Sequence, residues 1–210
     1  MTRLPLCFAL LALCFTSQVF AATVTATSTD DTLAAGDGKV TLREAITSIN
    51  AGTDLGDPDI TAQNPGVFGT NDTIDFNIAG AGVHAITLGA NLPNINQTVF
   101  INGYSQPGAS PNTNALNAGI NAALRIEIAA APGVPVLNIL ADGTEVRGLA
   151  IHGGSNLVDA SNVVIAGNFF DTDASGTTIL PSSVYCIQVS SFCSTIVSIV
   201  LRNPTAASSI

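Results

Sequence analysis

One segment near the N-terminal third of the chain carries a clear helical pattern. Apolar residues recur there at intervals of three and four positions, which places them on one helix face. They are Leu42, Ala45, Ile46 and Ile49. Thr41 and Glu44 have the spacing of a capping box, in which each side chain accepts a hydrogen bond from the other residue's backbone N–H. Gly52 is a natural C-terminal stop, so the pattern predicts a helix over residues 41–51.

After about residue 71 the pattern changes to short runs in which apolar and polar residues alternate. Glycine, asparagine, aspartate and proline separate these runs, as expected for strands joined by turns. The predicted strands are 74–78, 85–88, 99–101, 124–128, 136–140, 146–151 and 165–170. The last two superpose at an offset of 19 residues, which aligns Val146 with Ile165, Gly148 with Gly167, and Ile151 with Phe170. A fixed offset near 20 favours a solenoid; a β-sandwich also has short strands but gives no reason for the matching glycines.

Two segments depart from the strand pattern. Residues 103–123 are rich in turn formers, and we expect them to leave the solenoid as a loop excursion. The tail, residues 181–210, is atypical: the chain has no glycine after Gly176, and 184–201 carries no charge. The tail suggests a truncated or frame-altered protein; a short natural protein whose last turn is stapled by a disulfide is the alternative.

The first 21 residues have the three parts of a cleavable secretory signal. Arg3 supplies the positive region, Leu4–Phe15 is almost wholly apolar, and Val19 and Ala21 occupy the −3 and −1 positions of a cleavage site. The apolar run, about 12 residues, is too short to cross a hydrocarbon layer of about 30 Å. We therefore expect a secreted or cell-surface protein that begins at Ala22.

Composition and charge narrow the class of partner. Removing residues 1–21 takes away one cation, Arg3, and changes the formal net charge from −9 to −10. Nucleic acid, anionic lipid and polyanionic sugars are disfavoured because the chain lacks a basic surface. The tail has too many Gln, Ser and Thr residues for strong membrane insertion, so no transmembrane anchor is expected.

Two cysteines remain after signal removal. Cys186 and Cys193 lie in an oxidising compartment, where a disulfide between them is permitted. Two incidental thiols in a poorly specified tail are the alternative interpretation.

The segment from Val40 to Ile46 resembles the CSLREAI-type segment of exported bacterial proteins, with Thr41 in place of its serine and Val40 in place of its cysteine. Three later segments resemble the sequence that usually follows: Asp72–Ile78, Ile101–Gly108 and Val146–Ile151. The resemblance implies a mainly β protein with a right-handed parallel β-helix of the pectin-lyase-like type. Residues 22–70 would form an N-terminal capping region, with its short α-helix over the first coil, and 71–180 the coils.

Three carboxylates in six residues form the only candidate cation site that the sequence suggests. Asp54, Asp57 and Asp59 offer the oxygen ligands that Ca²⁺ prefers on a flexible loop. The segment lacks the length and closing glutamate of an EF-hand, so an acidic surface loop is the alternative. No other cofactor is expected.

Catalysis by a polysaccharide lyase or hydrolase would need carboxylates or a base that converge on one face. Asp171 and Asp173 alternate correctly for this, and His152 lies at a strand end, but each is also an ordinary turn residue. We expect a non-catalytic extracellular or cell-surface module (an adhesin, stalk or surface-binding protein), with extracellular glycans or host or cell-surface proteins as partners. The alternative is a β-helix lyase or hydrolase whose active face is missing from, or weakly encoded in, this chain.

Overall fold

In the computed structural model, helix α1 (Leu42–Ala51) begins at the predicted capping box. Thr41 Oγ1 accepts a hydrogen bond from the Glu44 N–H at 3.1 Å, and Glu44 Oε2 accepts one from the Thr41 N–H at 2.8 Å. Gly52 ends the helix in the left-handed conformation, with φ of 67°. All four apolar residues of the predicted stripe are buried. The predicted helix, its caps and its buried face are confirmed.

The structure describes residues 21–69, 71–115, 118–131, 134–180, 187–190 and 195–201. These residues form a mainly β protein, and a second short helix, α2 (Pro58–Thr61), follows α1. The strands are β1 (Thr23–Ala26), β2 (Asp72–Phe76), β3 (His84–Leu88), β4 (Val99–Asn102), β5 (Ile126–Ala130), β6 (Pro135–Ile139), β7 (Glu145–Arg147), β8 (Leu149–His152), β9 (Ser155–Val158), β10 (Val164–Phe170), β11 (Gln188–Val189) and β12 (Thr195–Leu201). Each of the seven predicted strands overlaps at least one of these.

The named strands pair in parallel throughout the described residues. One sheet has the order β1-β2-β4-β7-β10-β8-β5-β3, with β12 also paired to β10, and a second sheet has the order β11-β9-β6. A parallel pair cannot be joined by a tight hairpin, so the chain crosses back between the two strands of each pair. The predicted mainly β, parallel class is confirmed.

The predicted offset of 19 residues is the pairing register of the structure. Val146 pairs with Ile165, and Ile151 pairs with Phe170. Gly148 separates β7 from β8, and β10 runs past both of them with Gly167 at the matching position. The two glycines have φ of 74° and 65°, a conformation that disfavours side chains with a Cβ.

A column of apolar side chains crosses the larger sheet at one register position. Its members pair in sequence from β1 through β2, β4 and β7 to β10. They are Val24, Ile74, Ile101, Val146 and Ile165, all at most 3% exposed. Burying an aliphatic side chain of this size contributes about 1.5–3 kcal/mol, so the column holds successive strands in one register.

Arg43 joins α1 to the chain on both sides of it. Its Nε and Nη2 donate to Asp31 Oδ1 and Oδ2, each at 2.8 Å. The same guanidinium donates to the backbone oxygens of Ala90 and Asn91 at 2.9 and 2.6 Å. A bidentate arginine–carboxylate pair fixes orientation as well as distance. The helix itself lies against β1 and β2.

The two atypical segments behave differently. Residues 103–123 begin with a short 3-10 turn, Gly103–Ser105, and close through paired backbone hydrogen bonds between Ser110 and Ala123, 2.9 Å each. Their described part has no strand, as the turn-rich sequence predicts. Residues 195–201 of the tail instead form β12 on β10.

Cys186 and Cys193 lie outside the described residues, as do positions 1–20, so the disulfide and the secretory signal stay predictions.

A substitution beneath α1 tests its packing. Ile46 is 2% exposed, and Ile46→Asp would bury an unpaired carboxylate there, at a cost of about 3 kcal/mol or more. Thr41→Ser keeps the capping hydroxyl and is expected to cost no more than about 1 kcal/mol. Chemical denaturation of both variants and the parent measures these losses. An Ile46→Asp protein as stable as the parent would show that this helix face is not packed.

Candidate surface-binding site

Polar side chains form a row on the outer face of the larger sheet. Asp75 of β2 pairs in register with Asn102 of β4, which pairs with Arg147 of β7. Each is partly exposed, because each alternates with a buried residue along its strand. Neighbouring strands lie about 4.8 Å apart, so the row presents a carboxylate, an amide and a guanidinium at regular spacing.

A second row runs parallel to the first, two residues earlier along the same strands. It consists of Thr73, Phe100 and Glu145, which pair with one another in register. Phe100 is partly exposed on this face. The two rows together place an aromatic ring beside hydrogen-bonding groups, and we call these six residues the outer-face ladder.

The ladder keeps hydrogen-bonding capacity that the fold does not use. Asn102 Nδ2 donates to Asp75 Oδ1 at 3.0 Å, and Arg147 Nε donates to Glu145. Within the described residues, the Nη1 and Nη2 groups of Arg147, Asp75 Oδ2 and Asn102 Oδ1 have no protein partner. These donors and acceptors are available to a ligand.

A small apolar cluster forms on the outer face, next to the ladder, where residues 103–123 pack against the sheet. It contains the buried side chains of Leu124, Ala150, Phe169 and Ala174, with Tyr104 and Ala122 packed against them. Tyr104 Oη donates to the Gly167 backbone oxygen at 2.8 Å. A Cβ at Gly167 would lie 2.3 Å from that hydroxyl oxygen, so the glycine leaves room for the tyrosine.

Tyr104 is also electrostatically linked to the ladder. Burial raises the pKa of its phenol, and the positive charge of Arg147 acts in the opposite direction. The phenol is therefore neutral at physiological pH and keeps its donor hydrogen on Gly167. A Cβ at Gly148, the residue after Arg147, would lie 2.9 Å from Tyr104 Cγ, so the tyrosine ring lies at the border of the ladder.

His152 of β8 and Glu127 of β5 are in hydrogen-bond contact on the same face. His152 Nε2 lies 3.2 Å from Glu127 Oε1, and Glu127 Oε2 accepts a hydrogen bond from the Ala174 N–H at 2.9 Å. Both side chains are less than one fifth exposed. The pair ties the turn after β10 to the sheet, which gives His152 a structural use.

Asp171 and Asp173 lie in that turn, and the Asp171 N–H donates to the Ile151 oxygen at 3.0 Å, next to His152. Asp173 Oδ1 accepts hydrogen bonds from Ser175 Oγ and from the N–H groups of Thr177 and Thr178, at 2.7–3.2 Å. Burial acts to raise the pKa of Asp173, but these hydrogen bonds outweigh it, and the pKa is lowered. Asp171 has φ of 59° and accepts a bond from the Leu180 N–H.

The three aspartates predicted as calcium ligands each accept hydrogen bonds from the protein. Asp57 caps α2 by accepting from the Asp59 N–H at 2.9 Å. Asp59 accepts from the Gly38 N–H at 2.8 Å, and Asp54 from Thr61 Oγ1 at 2.7 Å. Among the described residues no three His, Cys, Asp or Glu side chains are grouped to hold a metal ion. The calcium site stays a prediction.

Sequence patterns alone did not single out the ladder. Asp75 and Asn102 look like ordinary polar positions of alternating strands, and their proximity depends on an offset of 27 residues between β2 and β4. That offset includes a loop, so a search for repeats near 20 misses it. Aligning Ile74 with Ile101 gives the same offset and could have predicted that Asp75 pairs with Asn102.

Comparisons of the chain with protein-family models, curated proteins and solved structures return no match. Within the described residues, no helix is long and apolar enough to cross a membrane.

Loss of the Tyr104 hydroxyl tests how residues 103–123 are held. Tyr104→Phe keeps the ring but removes the donor to Gly167, so we expect a loss of about 1 kcal/mol of unfolding free energy. Tyr104→Ala also removes the ring from the apolar cluster and should speed cleavage within 103–123 in limited proteolysis. Equal cleavage rates for the parent and Tyr104→Ala would contradict this packing.

Proposed function

We propose that this chain is a secreted or cell-surface, non-catalytic β-helix module whose outer face binds neutral extracellular glycans. In this proposal the parallel strands are the coils of a right-handed parallel β-helix, and α1 covers the first coil. Support for the β-helix comes from the parallel pairing of the named strands and from the 19-residue register between β7–β8 and β10.

The observation that carries the proposed binding function is the outer-face ladder. Carbohydrate hydroxyls both donate and accept hydrogen bonds, so a planar amide, a carboxylate and a guanidinium with unused atoms suit them. A partly exposed aromatic ring beside such groups can cover the apolar face of a sugar ring. Asn102, Asp75, Arg147 and Phe100 supply this combination on one surface.

The charge of the chain favours a neutral ligand. The formal net charge is −9 for the whole chain, and two of the three charged ladder residues, Asp75 and Glu145, are acidic. A polyanionic sugar would be repelled by this surface at moderate ionic strength. Neutral polysaccharides are therefore the proposed class.

Binding to immobilised polysaccharides tests the proposal. The parent protein should bind one or more neutral polysaccharides, and Arg147→Ala and Asn102→Ala should weaken binding at least about tenfold, since each removes hydrogen bonds worth about 1.5 kcal/mol or more to the complex. Thr87→Ala, on an exposed position of β3, is the matched control and should bind like the parent. Absence of new reducing ends or unsaturated products would agree with a non-catalytic module.

Two results would contradict the glycan proposal. One is an undiminished affinity of the Arg147 and Asn102 variants; the other is binding to cell-surface protein that survives complete deglycosylation, which would point to a protein partner instead.

Export has its own test. The exported product is expected to begin at Ala22, because Val19 and Ala21 occupy the −3 and −1 positions. N-terminal sequencing of the product measures this directly. Recovery of intact Met1 on a cytosolic protein would refute the proposed localisation.

A further inference from the structure

The buried carboxylate of Asp72, at the start of β2, lacks a cationic partner among the described residues. Asp72 is 0% exposed. Its Oδ2 accepts a hydrogen bond from the Gly69 N–H at 3.0 Å, and its Oδ1 accepts one from the Ala22 N–H at 2.9 Å. None of the ion pairs in the described part of the chain includes it. An ionised carboxylate removed from water is costly unless it is paired.

Two backbone hydrogen bonds that directly follow the Ala22 nitrogen hold it in place. The next residue, Thr23, donates its N–H to the Pro65 oxygen at 2.6 Å, and the Ala22 oxygen accepts from the Thr73 N–H at 2.8 Å. Ala22 is itself 0% exposed, whereas Ala21 is exposed. The chain therefore reaches the surface one residue before the atom that contacts Asp72.

Ala22 is also the residue that the proposed signal cleavage turns into the N-terminus. We propose that removal of the leader places the new α-ammonium group of Ala22 on the Asp72 carboxylate as a buried ion pair. Water hydrolyses the Ala21–Ala22 bond at a signal peptidase; the departing segment keeps a carboxylate on Ala21, and Ala22 gains the ammonium. This inference rests on the proposed export.

Processing thereby changes the strength of an existing contact. In the precursor the Ala22 nitrogen is a neutral amide donor, and in the mature chain it is a charged donor at the same position. The acceptor is the Asp72 carboxylate in both forms, and the ammonium adds the Coulomb attraction of a full positive charge at hydrogen-bond distance. The first strand is consequently fixed more firmly to β2 after cleavage than before it.

A comparison of four proteins isolates the charged contact. Chains of residues 22–210 and 21–210 are released from a cleavable fusion, each with Asp72 and with Asp72→Asn. Retaining Ala21 moves the ammonium to the surface and leaves an amide at Ala22. In the 22–210 chain, Asp72→Asn is expected to lower Tm by about 4 °C or more beyond the loss that the same substitution causes in the 21–210 chain. Equal losses in both backgrounds would overturn the ion pair.

A second measurement serves if Asp72→Asn does not fold. Acetylation of the α-amino group should lower Tm of the 22–210 chain and leave the 21–210 chain unchanged; no difference between the two would overturn the proposal. Sequencing of the exported product tests the processing step separately, and an N-terminus other than Ala22 would refute that step. Polysaccharide binding by the two parent chains is independent of both results and tests the glycan proposal alone.

Discussion

Parallel pairing in a fixed register is the constraint on which the rest of this structure depends. Because neighbouring strands align residue for residue, the inward positions of one column share the same interior environment, which favours apolar residues. Val24, Ile74, Ile101, Val146 and Ile165 satisfy this condition across the larger sheet. A shift of one residue in any strand would turn its apolar residues outward. The same alignment brings outward polar residues from distant parts of the sequence into continuous rows.

Some polar side chains of this protein are buried and bind backbone groups, whereas others keep unused donors or acceptors on the surface. Glu44 is buried and accepts from the Thr41 and Ala34 N–H groups. Asn168, also buried, accepts from the Leu149 N–H and donates to the Val146 oxygen beside Gly148. Such side chains satisfy backbone groups that turns and helix ends leave without partners. Arg147 retains unused donors on the outer face, and this contrast separates it from polar residues that serve the fold.

Local patterns were sufficient to predict the helix, most strands and one register. The capping box at Thr41 depends on four adjacent residues, and the 19-residue repeat of Gly148 is visible because both segments keep the same length. Pairing of β4 with β7 could not be found in this way, since residues 103–123 and β5 and β6 intervene. The contact of His152 with Glu127 depends on another long-range register, that of β5 with β8, and the sequence therefore points only to the histidine.

Local sequence patterns also do not show that the N-terminal strand lies at the edge of the larger sheet. β1 is the last strand at one end of the larger sheet, and an uncovered sheet end can pair with other chains. Helix α1 covers β1 and β2, and Arg43 holds that helix to Asp31 and to the segment after β3. The start of β1 is held to β2 where the Ala22 N–H donates to Asp72. Under the proposed export, the ammonium at Ala22 would add charge to this contact and fix β1 more firmly to β2.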